Sequence, residues 1–396
     1  MELLHGRSQA GREAGGLVDS KDVAVSNERM SVSFRLRRLL KVLGWGSWRR
    51  RRLLRAWRAN TASSPEGQVR SFRGDLLALR QATLDPSLVR GNGEGRLCLL
   101  PGALKVAEQK PPHQRAEDGW LETAWSAISL ADESAREPMV GGLTVLVPRR
   151  EWANVWHGTV DVYNAYLASR YLDHDAASTR VVFADFDDPN PFQPLWSQIS
   201  RETLRWKELE VHVCEEVAIC PTNYSSPFSS NLGPRPPYLE DFSRALRGPD
   251  REDEGLVVVI SRAGAVQRNV ANEEEVAEAI RQALPQARVV LQRMEELDFQ
   301  AQVDLASRTS LLVGAHGAGL THALFLPRHG ALLELFPGYL QAFRFHFRNI
   351  CRWRALPYAS WINWQIADPR DGQSVTLPAA KIADQAARLW RKRGPA

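Results

Sequence analysis

The chain has 396 residues, of which 44% are hydrophobic and 24% are charged. This balance is typical of a globular protein and excludes collagen-like, coiled-coil and wholly disordered chains. The length favours two domains, or one large domain with an added arm.

The net charge of +5 comes from one segment near the N-terminus. Between Arg35 and Arg58 there are ten Lys and Arg and no acidic residue, and the rest of the chain carries a net charge of −5. We interpret residues 1–65 as a disordered basic arm, with contact of this arm with an anionic membrane surface as the alternative. The acidic remainder argues against a nucleic-acid partner.

Sequence patterns for targeting and cross-linking are sparse. No apolar run reaches the ~20 residues of a membrane span, and residues 1–34 lack the apolar core of a signal peptide. The four cysteines have no CxxC spacing, so a structural zinc site is not expected. Cys214 and Cys220 could form a local disulfide or remain two buried thiols.

Sequence patterns typical of strands and helices become clear from residue 142 onward. They predict a strand at 142–148, helices at 152–172, 191–206 and 238–246, and strands at 180–185, 211–213 and 217–220. Residues 221–237 form a polar loop that contains the sequon Asn223-Tyr224-Ser225, so we expect Asn223 at the surface.

After the charged linker 248–255 the pattern alternates regularly. Strands are predicted at 256–261, 288–292, 311–314 and 331–336, and helices at 273–284, 299–307 and 320–325, with a closing helix at 380–393. Asn272 and Glu275 have the spacing of a capping box. The alternation predicts a parallel, doubly wound sheet, and we divide the ordered chain into domains at 66–250 and 251–396.

One loop has the composition of a diphosphate site. The predicted strand 311–314 leads directly into GAHGAG (residues 314–319), and a helix pattern follows. Gly317, Ala318 and Gly319 would allow close approach of a ligand to the backbone and to the helix N-terminus. His316 could donate a hydrogen bond to a phosphate or a leaving oxygen. The alternative is a tight turn whose glycines serve packing alone.

Charged residues follow two other strands of the same predicted sheet. Arg262 and Arg268 lie in the loop after strand 256–261, where they could bind phosphate; the alternative is two solvated arginines. Glu334, in strand 331–336, could accept hydrogen bonds from ribose or sugar hydroxyls, or could be a buried capping carboxylate.

A His–Asp pair is predicted on the helix 152–172. His157 and Asp161 are four residues apart and share one helix face, so either could act as a general base, with Asp161 alternatively orienting His157. A buried hydrogen bond that holds the helix is the other interpretation. Asp185 begins a D-x-D pattern that could hold a divalent ion, although such triplets are common in acidic turns, and we do not favour a metal.

Taken together, the segments GAHGAGLTHALFLP (314–327), ALLELFP (331–337) and EWANVWHGTVDVYNAYLASR (151–170) resemble family 61 glycosyltransferases. The resemblance extends over about residues 143–364. The family includes enzymes that transfer xylose to plant N-glycans and enzymes that transfer GlcNAc to proteins in the secretory pathway. Val162 departs from the xylosyltransferase pattern, and the spacing from Arg268 to Asn272 is closer to the GlcNAc branch, so both sugars stay open.

The resemblance implies an α/β fold of the GT-B type, with two Rossmann-like domains facing a cleft. It implies an inverting transferase that moves xylose or GlcNAc from a UDP-sugar to a glycan or glycoprotein in the Golgi or ER lumen. Arg262, Arg268, the loop 317–319 and Glu334 would bind the donor, and Asp161, His157 and His316 would be catalytic. No cofactor is required in this interpretation. A non-catalytic nucleotide- or glycan-binding protein on the same fold is the alternative.

Overall fold

The computed structural model describes residues 69–72, 76–91, 97–106, 119–130, 139–149, 154–185, 191–229, 233–264, 267–369 and 373–393. All of them belong to one compact unit, residues 59–396. The predicted basic arm lies outside the described residues, so both interpretations of it stay predictions. Among the helices that are described, none is long and apolar enough to cross a membrane.

Strands and helices alternate along these ranges. The strands are β1 (Val69–Phe72), β2 (Leu76–Leu84), β3 (Val89–Gly91), β4 (Leu97–Leu99), β5 (Leu104–Val106), β6 (Ile128–Leu130), β7 (Met139–Val147), β8 (Thr179–Phe183), β9 (Glu202–Arg205), β10 (His212–Ile219), β11 (Leu256–Ile260), β12 (Asn269–Val270), β13 (Arg288–Gln292), β14 (Thr309–Ala315), β15 (Ala331–Phe336), β16 (Tyr358–Ile362) and β17 (Ser374–Val375). The α-helices are α1 (Gly119–Ala127), α2 (Val155–Tyr171), α3 (Gln193–Ile199), α4 (Leu239–Arg247), α5 (Glu273–Ala283), α6 (Phe299–Ser307), α7 (His346–Arg354) and α8 (Ala379–Trp390). The 3-10 helices are Pro86–Leu88, Trp206–Glu208, Asn223–Ser225, Pro227–Ser229, Met294–Glu296, Ala318–Phe325 and Tyr339–Phe343.

The first large sheet is mixed. Its order is β6-β5-β2-β10-β7-β8-β9, with β1 paired on β2. Strands β10, β7, β8 and β9 are parallel, whereas β2 is antiparallel to both β10 and β5. Only the parallel half therefore has the pattern expected of a Rossmann-like sheet, because the strands before residue 139 add antiparallel partners that the sequence patterns did not reveal.

The second large sheet is entirely parallel, as the alternating pattern predicted. Its order is β13-β11-β14-β15-β16. The chain passes from β11 outward to β13 and then returns to the other side of β11 to form β14. The carboxyl ends of β11 and β14 therefore flank the point where the winding direction reverses, which is where parallel sheets of this kind bind ligands.

The core is layered because alternate side chains of each strand face opposite sides of its sheet. One hydrophobic cluster joins inward residues of both sheets, among them Leu143, Phe183, Leu256 and Leu312, to the helices between them. Separate clusters cover the outer face of each sheet, and α5 and α8 pack over the second. Since one cluster is shared by both sheets, the division at residue 250 stays a prediction.

Three predicted elements differ from the structure. The helix predicted at 320–325 is a 3-10 helix, Ala318–Phe325. The helix predicted at 191–206 ends at Ile199 and is followed by the edge strand β9. The short strands predicted at 211–213 and 217–220 form one strand, β10, with a register shift against β7 between Cys214 and Glu216. Such an irregularity interrupts the apolar alternation that identifies a strand in sequence.

The predicted capping box is also wrong. The Asn272 side chain makes no capping hydrogen bond at the start of α5. Its oxygen instead accepts a hydrogen bond from the backbone nitrogen of Leu377 at 2.9 Å, and its nitrogen donates to the Leu377 oxygen at 2.9 Å and to Glu275 Oε2 at 2.8 Å. A tertiary contact with the segment before α8 has replaced the local cap.

Two further predictions are decided by burial. Cys214 and Cys220 are free, buried thiols that belong to different hydrophobic clusters, so no disulfide joins them. Asn223, expected at the surface, is only 1% exposed. Although the composition of this loop is polar, its backbone forms a turn in which the Ser229 hydroxyl donates to the Asn223 carbonyl oxygen at 2.5 Å. A glycan at Asn223 would therefore not fit the folded chain.

Arg354 fixes the 3-10 helix that follows the glycine-rich loop. Its Nη1 donates to the carbonyl oxygens of Ala323, Leu324 and Leu326 at 3.3, 2.9 and 2.7 Å. Its side chain is fully buried and forms an ion pair with Glu240 on α4 at 3.3 Å. One cation thus satisfies several carbonyls at the end of the 3-10 helix and joins three helices.

We predict that Arg354→Met lowers the free energy of unfolding by about 3–5 kcal/mol, because it removes the nearest cation from the partly buried Glu240 and the Arg354 donor from the carbonyls of Ala323 and Leu326. Urea unfolding would measure the change. Arg388→Met, at an exposed position of α8, is the matched control and should change stability by less than about 0.5 kcal/mol. Equal effects of the two substitutions would contradict this role for Arg354.

Candidate active site

The structure brings together Arg262 and Gly317, two residues that the sequence analysis placed at the ends of different strands. Ser261 and Arg262 follow β11, while His316 and Gly317 follow the neighbouring strand β14. These positions lie at the reversal of winding in the second sheet. Parallel register therefore explains why residues more than 50 positions apart meet there.

Two guanidinium groups converge on Gly317. A Cβ atom added at this glycine would lie 2.7 Å from Arg262 Nη1 and 3.4 Å from Arg268 Nη1. Any larger residue would have to push the first guanidinium away. Gly317 is therefore needed for the close approach of the two arginines, and its extended backbone requires no glycine for conformational reasons.

Backbone oxygens and a buried carboxylate hold both arginines in place. Arg262 donates from Nη2 to the Gln267 carbonyl oxygen at 2.9 Å, and Arg268 donates from Nη1 to the His316 carbonyl oxygen at 2.8 Å. Glu273, at the start of α5, accepts from the Arg262 backbone nitrogen at 3.0 Å and from the Ser261 hydroxyl. Both arginines are thus tied to the end of the sheet.

The positive charges of this pair are not neutralised by ion pairs. In the described ranges no carboxylate forms an ion pair with Arg262 or Arg268. Burial and the charge of Arg268 lower the pKa of Arg262, and burial and the charge of Arg344 lower the pKa of Arg268. Because guanidinium stays charged in proteins, three positive groups accumulate around Gly317 and favour an anionic ligand.

His316 is held from behind by two other strands of the sheet. Its Nδ1 lies 2.5 Å from Glu334 Oε1 on β15, and the Tyr358 hydroxyl on β16 donates to Glu334 Oε2 at 2.7 Å. Glu334 is fully buried. It is therefore not accessible to a donor sugar or ribose, although the sequence predicts that it is. The contact with Glu334 orients His316 and leaves Nε2 as the ring nitrogen available to a ligand.

A third histidine was missed by the sequence analysis. His346, the first residue of α7, packs on Trp156 of α2 with ring centroids 4.8 Å apart. Burial and the charges of His316, Arg344 and His157 lower its pKa to about 4. The sequence FRFHFRN (343–349) gives no hint of this position, because only the fold places His346 near the other histidines.

The predicted pair His157 and Asp161 lies on α2, near this histidine cluster. His157 is half-buried and close enough to His346 to influence its pKa. Asp161 is only 1% exposed, and together with burial its charge raises the pKa of the Cys220 thiol. Of the two residues, His157 is therefore nearer to the surface, whereas Asp161 faces the interior.

A cavity of about 970 Å³ opens beside the arginines. Its lining includes Arg262, Ala318 and Gly319 on one side, aromatic and aliphatic side chains after β13, and the start of α2. Phe192 reaches the cavity because Gly158 on α2 leaves room for its ring; an added Cβ there would lie 2.3 Å from it. The cavity thus has Arg262 at one end and a largely apolar lining, to which Glu295 and Asp298 add two carboxylates.

The first aspartate of the D-x-D pattern is engaged by an arginine. Arg149 forms two hydrogen bonds with Asp185, at 2.8 and 2.6 Å, in a buried bidentate pair. The next two aspartates of the pattern lie outside the described residues. In the part of the chain that the structure describes, no three His, Cys, Asp or Glu side chains are grouped so that they could hold a metal ion.

Comparison with known proteins gives one consistent family. The sequence profile of the glycosyltransferase 61 family matches residues 125–333, more than half of the chain. A solved structure of the rubredoxin:oxygen oxidoreductase from Desulfovibrio gigas overlaps 45% of the chain, but at a TM-score of 0.25 and 8% identity it carries no weight for the fold.

Individual relatives carry two kinds of name. The chain is 25% identical to a β-1,2-xylosyltransferase of Oryza sativa subsp. japonica over 74% of its own length and 66% of the relative's. It is 23% identical to a β-1,2-xylosyltransferase of Arabidopsis thaliana, over 58% and 52%. It is 31% identical to an EGF domain-specific O-linked N-acetylglucosamine transferase of Rattus norvegicus, over 35% and 26%. The chain therefore spans from about a quarter to two thirds of these relatives. The profile match shows that the chain belongs to the glycosyltransferase 61 family.

Proposed function

We propose that this protein is an inverting glycosyltransferase that moves a sugar from a UDP-sugar to a glycan or glycoprotein. The observation that carries the proposal is the pair Arg262 and Arg268, which face Gly317 at the switch point and have no carboxylate partner among the described residues. In a family of glycosyltransferases, the anion that suits this site is the diphosphate of a nucleotide-sugar.

The remaining features of the site suit the rest of the donor. The cavity is large enough for a nucleoside and is lined by Phe192, Met294 and Phe299 in addition to its cationic end. A diphosphate at Gly317 would place the nucleoside in this cavity and the sugar toward the histidines. A GT-B arrangement, in which the acceptor is held on the side of α2, is part of the same proposal.

The transfer would proceed by one displacement. The acceptor hydroxyl oxygen attacks the anomeric carbon as the bond from that carbon to the β-phosphate oxygen breaks, and the configuration inverts. The acceptor proton passes to a base, and UDP leaves with the bonding electron pair. Arg262 and Arg268 stabilise the negative charge that develops on UDP, and His316, once protonated, donates to a phosphate oxygen.

We favour His157 as the base, with Asp161 as the residue that positions it. His157 is half-buried beside the cluster of histidines, while Asp161 is almost completely buried one helical turn further along α2. A base must come within hydrogen-bond reach of the acceptor hydroxyl, which His157 satisfies more readily. Direct catalysis by Asp161 stays the alternative.

The finer properties of the reaction are proposals of the same kind. The relatives' names include both xylosyl and N-acetylglucosaminyl transfer, so we propose xylose or GlcNAc as the sugar. We propose action in the lumen of the Golgi or ER. The arginines could neutralise the leaving diphosphate without a metal, so a chelator should leave most of the activity intact.

We predict that Arg262→Ala and Arg268→Ala each weaken the binding of UDP by about 10- to 150-fold, because each removes a charge-assisted hydrogen bond of about 1.5–3 kcal/mol. Calorimetry would measure the affinity. Arg251→Ala is the matched control, since Arg251 is an exposed arginine that pairs with Asp304 on the surface. If neither site variant differed from the control, the diphosphate assignment would be wrong.

We predict that His157→Gln reduces sugar transfer by about 10²–10⁴-fold while the affinity for UDP is retained, since the base acts on the acceptor and not on the nucleotide. Asp161→Asn should also reduce transfer, and the double variant should be little worse than His157→Gln alone. Rates of UDP release and melting temperatures would be measured together. A fully active, folded double variant would exclude a chemical role for this pair.

A further inference from the structure

His346 is fixed by packing and not by hydrogen bonds. Its ring lies against Trp156, 4.8 Å between centroids at an angle of 45°, and near the ring of Phe347 at 6.4 Å. Within the described part of the chain it makes no hydrogen bond through either ring nitrogen, and Nδ1 is buried. A half-buried imidazole of this kind is held firmly, yet its polar atoms have no partner in the fold.

Its surroundings connect His346 to the proposed donor site. The ring of Phe347 lies near both histidines, 6.4 Å from His346 and 5.3 Å from His316 between centroids, and Trp156, which packs on His346, directly precedes His157 on α2. His346 therefore lies close to the group that would contact the leaving phosphate and to the proposed base on α2. In an inverting displacement this is the region that the transferred sugar occupies.

We propose that His346 binds a hydroxyl group of the sugar that is transferred, and so helps to select the donor. The inference rests on the proposed function and adds a residue that recognises the sugar. His346 would touch the substrate without taking part in bond making or breaking.

The protonation state of His346 suits this role. With a pKa of about 4, the ring is neutral near pH 7 and offers one N–H donor and one acceptor nitrogen. A sugar hydroxyl can donate and accept, so it can satisfy either nitrogen. Burial and the guanidinium of Arg344 disfavour a positive charge on this ring, which makes a neutral hydrogen-bonding role more suitable than proton transfer.

The test compares His346→Phe with wild type. Phenylalanine keeps an aromatic ring against Trp156 but removes both nitrogens. The dissociation constants of UDP, UDP-xylose and UDP-GlcNAc would be measured by calorimetry, together with kcat/KM for UDP release. His346→Gln restores hydrogen bonding without the ring, and His174→Gln, at a partly buried contact with Glu216 in the first sheet, is the control.

We expect His346→Phe to bind UDP within about twofold of wild type, and to lose about tenfold or more in affinity and kcat/KM for the UDP-sugar that wild type uses, as the loss of a hydrogen bond to a buried group implies. His346→Gln should recover part of this loss, and His174→Gln should show none. If His346→Phe does not fold, His346→Leu gives the same comparison, since it also lacks both nitrogens.

Unchanged affinity and kcat/KM for the UDP-sugar in His346→Phe would overturn the proposal, as would an equal loss for UDP and UDP-sugar. Both results leave UDP binding by wild type intact and so leave the proposed function standing. Failure of wild type to bind UDP at all would overturn the proposed function and this inference together.

Discussion

The site depends on two like charges held close together. The guanidinium groups of Arg262 and Arg268 approach the same side of Gly317, and hydrogen bonds to backbone oxygens and to Glu273 hold them there against their repulsion. Without a carboxylate partner among the described residues, the pair gains most from an anion placed between them. The fold thus supplies a preorganised cationic site before any ligand arrives.

The second sheet and the start of α2 place side chains with different chemical properties around the arginine pair. The carboxyl ends of β11 and β14 carry the arginines and His316, and β15 and β16 supply Glu334 and Tyr358 behind the histidine. Helix α2 contributes His157, which follows Trp156, the residue whose ring packs on His346. In the proposed mechanism, charge stabilisation and proton removal therefore fall to separate elements.

Much of this arrangement could be predicted from the sequence, because the alignment of strands in a parallel sheet determines which loop residues meet. A parallel sheet aligns the ends of its strands, so the regular alternation after residue 255 was enough to bring Arg262, His316 and Gly317 together. The predictions from sequence failed at positions where tertiary contacts determine the partner of a side chain. Asn272 bonds to Leu377 instead of capping its helix, and Glu334 faces His316 instead of a ligand. His346 lies in no recognised motif, and only the packing of α7 on α2 reveals it.

The most direct measurement is the release of UDP by the full-length chain from a panel of UDP-sugars, with and without N-glycan acceptors, and with the anomeric configuration of any product followed by NMR. We expect one donor, UDP-xylose or UDP-GlcNAc, to release UDP only when an acceptor is present, with inversion at the anomeric carbon. Binding of UDP without acceptor-dependent release from any donor, or a product that retains the donor's configuration, would contradict inverting transfer from a UDP-sugar.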